Sequence, residues 1–162
     1  MRHLRLFTDG SVNTHAKIGF GAYLLVTDLG EALESLKSKV VVKRFEKTSS
    51  TKLELQALLW ALNEVILLVG GEEIAVTVYT DSQNIIGLPA RRMSLECADY
   101  YSRKNKRLGN YELYKEFYRL TDTHNCTLIK MKGHQASSNK SDFDKLFSLV
   151  DQGARRALRE GA

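Results

Sequence analysis

The chain is poor in cysteine and has no long apolar run and no repeat, and each lack removes a class of function. Its two cysteines, Cys97 and Cys126, stand in no metal-ligand or redox spacing, so neither a zinc site nor a disulfide framework is expected, and a reduced cytoplasm fits. The most apolar stretch, Ala57 to Val69, is broken by Asn63 and Glu64 and falls short of the roughly 20 apolar residues of a membrane span. It is expected to be a core helix, with no membrane partner. The opening residues Met1 to Asp9 run directly into a strand-like pattern, without the apolar segment and cleavage site of an export signal. Neither an internal repeat nor a linker divides the 162 residues, a length suited to one domain with its own core, so a single domain over residues 1–162 is expected. A cytoplasmic monomer completes that expectation.

What is present is an ordinary globular composition, 43% hydrophobic and 27% charged. A net charge of +5 and a pI near 9.2 suit a polyanionic partner without identifying one.

Apolar alternation predicts strands over Leu4–Thr8 and Ile18–Val26, a turn at Asp28-Leu29-Gly30, and a more polar third strand around Lys37 to Phe45. After Ser49-Ser50-Thr51, apolar residues at Leu55, Leu58, Leu59, Leu62, Val65, Ile66 and Val69 follow helical spacing until Gly70-Gly71 ends the pattern. Ile74–Thr80 predicts a strand, and Asp81-Ser82 the cap of a short helix running to Gly87 and Pro89. Arg91–Asn110 is dense in charge and carries no clear period. A helix is expected over Tyr111–Thr121, a strand over Cys126–Met131, a polar loop over Lys132–Lys140, and a final helix over Asp142–Arg159. Such mixing predicts a sheet covered by helices, α/β or α+β in class.

Four acids bear on chemistry, and each has an ordinary explanation of its own. Asp9-Gly10 is a frequent turn dipeptide. Thr51 and Glu54 have the spacing of a capping box, although Leu58, Ala61 and Leu62 put Glu54 at the start of the buried stripe. Asp81 can cap the helix that follows it, and Asp151 can pair with Arg155 four residues on. His134 lies in a polar loop, where most histidines are simply solvated.

As a set they have another reading. If the strands ending at Asp9 and Asp81 are neighbours, these carboxylates can converge with one from each flanking helix. Close-packed acids raise one another's pKa values unless hard cations such as Mg2+ compensate them. An oxygen-only donor set argues against zinc. Two ions roughly 4 Å apart can activate water on one side of a phosphodiester and stabilise the leaving oxygen on the other, with His134 relaying protons nearby.

Thr8-Asp9-Gly10-Ser11, Lys52-Leu53-Glu54-Leu55, Tyr79-Thr80-Asp81-Ser82-Gln83, Lys132-Gly133-His134 and Asp151-Gln152-Gly153-Ala154 resemble, in order, the five motifs of the type 1 ribonuclease H family. Asn110-Tyr111-Glu112-Leu113-Tyr114 is similar to the family segment in which an Asn helps hold a DNA phosphate. The resemblance implies an α/β fold, a mixed five-stranded sheet with its first three strands antiparallel and helices on both faces. It also implies two-metal hydrolysis of the RNA strand of RNA–DNA hybrids, leaving a 5'-phosphate. Asp9, Glu54, Asp81 and Asp151 would then hold two Mg2+ ions, with Mn2+ a possible substitute, and His134 would shuttle the proton. Ser11, Ser49, Ser50, Thr51 and Gln83 would line the minor groove, where 2'-hydroxyls distinguish RNA. Lys52 and Asn110 would grip a phosphate of the DNA strand.

Three features depart from that pattern. The segment Val12–Lys17 lacks the family's glycines and proline, although its His15 and Lys17 could touch phosphate. The tryptophan-bearing basic handle is missing, since Trp60 lies in the core helix. Arg91, Arg92, Arg103, Lys104, Lys106 and Arg107 offer a substitute, with Tyr100 and Tyr101 for stacking. Asp142 and Asp144 compete with Asp151 as fourth ligand; Asp151 is chosen because the small Gly153 and Ala154 follow it. The competing functions are a non-catalytic hybrid-binding module and a DNA-acting nuclease or integrase-like core.

Overall fold

The computed structural model describes residues 1–132 and 141–161. The strands are β1 (Arg2–Asn13), β2 (Ile18–Val26), β3 (Val41–Glu46), β4 (Ile74–Thr80) and β5 (Asn125–Lys130). They form one sheet in the order β3-β2-β1-β4-β5. The β1–β2 and β2–β3 pairs are antiparallel and the β1–β4 and β4–β5 pairs parallel. The helices are α1 (Leu33–Lys37), α2 (Ser50–Val69), α3 (Gln83–Cys97), α4 (Tyr111–Thr123) and α5 (Asp142–Glu160).

Alternation along the strands feeds two cores. Leu4 and Leu6 of β1 and Val76 and Val78 of β4 join α2, α3 and α4 on one face. Phe7 of β1, Ala22 and Leu24 of β2 and Tyr79 of β4 join α5 on the other. This is the period-2 consequence of a sheet buried on both sides, and it is the expected mixed five-stranded arrangement with helices on both faces.

The α2 face closes unusually tightly. A Cβ on Gly21 would stand 2.7 Å from the Ala57 Cβ, and one on Gly19 would stand 2.5 Å from a Leu53 methyl. The two glycines thus open a trough in β2 that seats the first turns of α2. Ser49 starts that helix, its hydroxyl accepting from the Lys52 amide, and Gly70 ends it at φ 61°.

Local expectations fail in four places. The third strand does not begin near Lys37, which ends α1; buried Leu36 draws that turn onto the α5-side core. Asp9-Gly10 is not a turn, because β1 continues to Asn13 along β2. The helix after Asp81 passes Gly87 and Pro89 and runs to Cys97. An interior proline costs about 3 kcal/mol, and burial of Ile85, Leu88 and Leu95 offsets it at roughly 1.5–3 kcal/mol for a fully buried side chain. The Tyr118 hydroxyl from α4 also donates to the Leu88 carbonyl at 2.6 Å. Finally, no Thr51–Glu54 capping box forms: Ser49 is the cap, and Glu54 turns elsewhere.

Candidate active site

Strand register gathers the first two acids. In the parallel β1–β4 pair Phe7 lies opposite Tyr79; Asp9 follows two residues on, inside β1, and Asp81 directly follows the last residue of β4, near enough for its charge to act on Asp9. The carboxyl ends of strands are where ligands bind in α/β sheets. The same alternation puts Asp9 on the face of Phe7, beneath which Phe7, Tyr79 and Phe143 stack. The ring centroids are 4.5 Å apart for Phe7–Tyr79 and 5.4 Å for Tyr79–Phe143. Helix α5 covers this face, its Val150 and Ala154 fully buried, and between them Asp151 reaches Asp9.

The Asp9 carboxyl feels this company. Burial, then the charge of Asp81, then a hydrogen bond and charge from Asp151 push its pKa up to about 8, against an opposing bond from the Gly10 amide.

Glu54 arrives from the other face of the sheet, carried on the first turns of α2. Ser82, itself buried, donates its hydroxyl to the Glu54 carboxylate at 2.6 Å. The same Ser82 oxygen caps α3 by accepting from the Ile85 amide at 3.2 Å. One residue thereby ties the start of α3 to the α2 acid. Burial raises the Glu54 pKa; Ser82 and Lys130 pull it down while Asp81 pushes it up.

Of the three candidates for the fourth acid, the geometry separates Asp151 from the others. Asp144 serves the α5 capping box, accepting from the Ser141 amide at 2.9 Å and the Ser141 hydroxyl at 2.8 Å. It lies seven residues before Asp151, about 10 Å along a helix axis at 1.5 Å per residue. Asp142 is exposed in the same first turn. Asp151 also makes the expected ion pair, 3.0 Å from Arg155. Gly153 lets α5 approach the residue that leads into β3 closely, since a Cβ there would stand 3.0 Å from a Val40 methyl.

Among the described residues, no three acidic, histidine or cysteine side chains form a ready cation cage. The reason is visible in the partners: Glu54 is turned toward Ser82 and Asp151 toward Arg155. The donor set nevertheless fits hard divalent cations. It consists of carboxyl oxygens, and burial together with the neighbouring acids raises the Asp9 pKa, as oxygen-rich sites for such ions do when empty.

The other expected site residues are dispersed around this group. Ser11 continues β1 opposite Phe20. Ser50, Thr51 and Lys52 form the first turn of α2, with the Lys52 ammonium 3.4 Å from the Lys47 carbonyl. Gln83 opens α3 beside Asp81. Asn110 is at the amino end of α4, its carbonyl accepting from the Tyr114 amide. His134 lies outside the described residues. In the segment after Ser11, the Asn13 side chain accepts from the His15 and Ala16 amides in place of a glycine turn. His15 and Lys17 are exposed there.

The substitute basic cluster is only partly available. Tyr100 is buried, which removes it as a stacking platform, and Arg92 makes a fork to Asp122 while also holding Glu96. Arg107 lies 4.7 Å from the ring centroids of both Tyr101 and Tyr111, while Arg103, Lys104 and Lys106 are exposed. Sequence reasoning missed Ser82 and Lys130, whose links to Glu54 span the sheet and have no local spacing to announce them.

Comparison with known proteins agrees with this architecture. The family model described as RNase H matches residues 1–154. Ribonuclease HI of Helicobacter pylori strain ATCC 700392 / 26695 is 25% identical over 153 residues, covering 94% of this chain and 95% of that protein. Ribonuclease H of Chlorobium luteolum strain DSM 273 / BCRC 81028 / 2530 is 27% identical over 166 residues, covering 98% and 97%. In fold, the chain is similar to LC9-RNase H1, described as a type 1 RNase H with the type 2 active-site motif. The TM-score is 0.70 at 15% identity, over 99% of this chain and 74% of that one. The PFV RNase H domain superposes with a TM-score of 0.68 at 17% identity, over 95% and 92%. With a sheet of this order, acids gathered beside its central strands and a family match across nearly its whole length, the chain belongs to the RNase H family.

Proposed function

We propose that this protein is an endoribonuclease that hydrolyses the RNA strand of RNA–DNA hybrids, using Asp9, Glu54, Asp81 and Asp151 to hold two divalent cations, Mg2+ in the first instance. The observation that carries this reading is the gathering of carboxyls around Asp9: a carboxyl with its pKa pushed to about 8 by burial and by two neighbouring acids is costly to fold. An external cation is the natural recipient of that cost.

When bound, the cations would supply an activated water and neutralise charge at the scissile phosphodiester. The chain's own residues do the rest. Asp9 is held inside β1 by its pairing with Ala22 of β2, and Asp81 directly follows the last residue of β4. Ser82 fixes the orientation of Glu54. Glu54, now bonded to Ser82, and Asp151, now paired with Arg155, would hold the cations together with Asp9 and Asp81. His134, two residues beyond Lys132, is proposed to relay the proton. Ser11, Ser50, Thr51 and Gln83 face the minor groove in this reading, and Lys52 and Asn110 take a phosphate of the DNA strand.

The test is cleavage of end-labelled RNA–DNA hybrid, double-stranded RNA and double-stranded DNA, with Mg2+ and with EDTA. Hybrid cut in its RNA strand only with metal is the expected result. Cutting of double-stranded DNA instead would favour an integrase-like core, and binding of hybrid without cutting under Mg2+ or Mn2+ would reduce the protein to a binding module.

A further inference from the structure

Lys130 ends β5, paired with Thr80, the residue before Asp81. It therefore stands at the same strand ends as the acids, one strand further out. Its ammonium donates to Gln83 Oε1 at 2.9 Å, and its positive charge acts on Glu54 against the burial that raises that carboxyl. One exposed cation thus reaches both the acid group and the residue that opens α3.

The bond to Gln83 has a directional consequence. Lysine carries donors and no acceptor, so its partner must be the amide oxygen. The Gln83 amide is thereby fixed in one of its two orientations, with its N–H donors left for a ligand. The minor groove of a hybrid presents acceptors at every base pair, purine N3 and pyrimidine O2, with the guanine amino group and the 2'-hydroxyl hydrogens as its donors. An unfixed amide would offer its oxygen there half of the time, facing those acceptors with a like dipole. The lysine charge, exposed and so carrying little desolvation cost, lies where a polyanion draped over the strand ends would bring a phosphate.

We propose that Lys130 is a substrate-positioning residue: it orients the Gln83 amide toward the minor groove of the hybrid and neutralises one backbone phosphate beside the acids. This rests on the hybrid-nuclease reading above. A purely structural role is a weak competitor, because an exposed lysine-to-amide contact contributes little to stability.

The experiment compares wild type with Lys130→Met, Lys130→Arg, Gln83→Leu and the Lys130→Met/Gln83→Leu pair. It measures steady-state cleavage of a labelled hybrid in Mg2+, hybrid binding by fluorescence anisotropy in EDTA over a salt series, and melting temperature. Lys130→Met is expected to raise KM and Kd about three- to tenfold with kcat nearly unchanged, and to lower the log–log salt slope by about one, as loss of one phosphate contact does. Lys130→Arg should restore the slope. Lys130→Met should cost less in the Gln83→Leu background than in wild type, because part of its effect runs through that amide. Unchanged KM, Kd and salt slope in Lys130→Met, with wild type cutting hybrid normally, would overturn the inference, as would a loss of melting temperature large enough to account for the kinetics. Failure of wild type to cut hybrid would instead overturn the nuclease reading, so the two failures are told apart.

Discussion

Acidic side chains on the α3–α4 surface and in the group of Asp9, Glu54, Asp81 and Asp151 beside β1 and β4 live under opposite electrostatics. On the surface, Asp122 and Glu116 are held below the usual carboxylate range by the guanidinium groups of Arg92 and Arg119. Beside the strands, Asp9 and Glu54 are pushed above it, first by burial and then by Asp81 and, for Asp9, by Asp151. Both regions lie in one basic chain with cations to spare. The cations are distributed to satisfy the surface acids, while Arg155 and Lys130 reach the second group only through Asp151 and Glu54. The fold therefore lowers the pKa values of its surface acids with guanidinium partners and raises those of the acids gathered beside the central strands.

The sharpest way to break that contrast is Asp9→Asn. Hybrid cleavage should fall by at least about a thousandfold, the scale on which losing one member of an interdependent catalytic set acts. Stability should move the other way. A carboxyl whose folded pKa is raised favours the fold while protonated, so its stabilising contribution is intact below the ordinary value near 3.8 and is lost as pH climbs to about 8. In EDTA, the wild-type melting temperature should decline across that window and the Asp9→Asn curve should be flatter. Identical slopes in the two proteins would show that Asp9 is not strained.

A smaller effect is expected from Gly21→Ala. The added methyl meets Ala57 across the α2 trough, and overpacking of this kind typically costs about 1–3 kcal/mol. Chemical denaturation checks the stability, and a drop in cleavage greater than the loss of folded protein would show that the seat of α2 also aims Glu54. Asp144→Ala should cost about 1 kcal/mol through the lost cap and leave cleavage near wild type, whereas Asp151→Asn should abolish it. Equal activity losses would overturn the choice of Asp151. The slightest change belongs to Asp122→Asn: a melting shift that fades as salt is added, since both partners of its ion pair are exposed.

Much of the sheet was legible because its strands alternate or run apolar with β-branched residues, and α2 and α5 declared themselves by period. What escaped was set by distant contacts. The length of α3 depends on Leu88, Leu95 and the Tyr118 hydroxyl from another helix, while the Gly87 and Pro89 signals nearby argue for a stop. Thr51 and Glu54 have the spacing of a local cap, yet Ser82, 28 residues further along, captures the carboxylate. The Asp-Gly pair at positions 9 and 10 looks like a turn until β2 is laid beside it. For the candidate site, the set of acids could be chosen from the order of motifs. Their mutual pressure, and the separation of Asp151 from Asp144 along α5, required coordinates.

The placement of Asp9 within a paired strand has a final consequence. Because Asp9 is held inside β1 by its pairing with Ala22 of β2, slipping β1 by a single residue would swing its carboxyl to the opposite side of the sheet, away from α5. The side on which this acid points is thus quantised: the chain can lose it in one step but cannot drift from it, and mutations that merely soften the molecule should thin the population of competent molecules without blurring the geometry of those that remain.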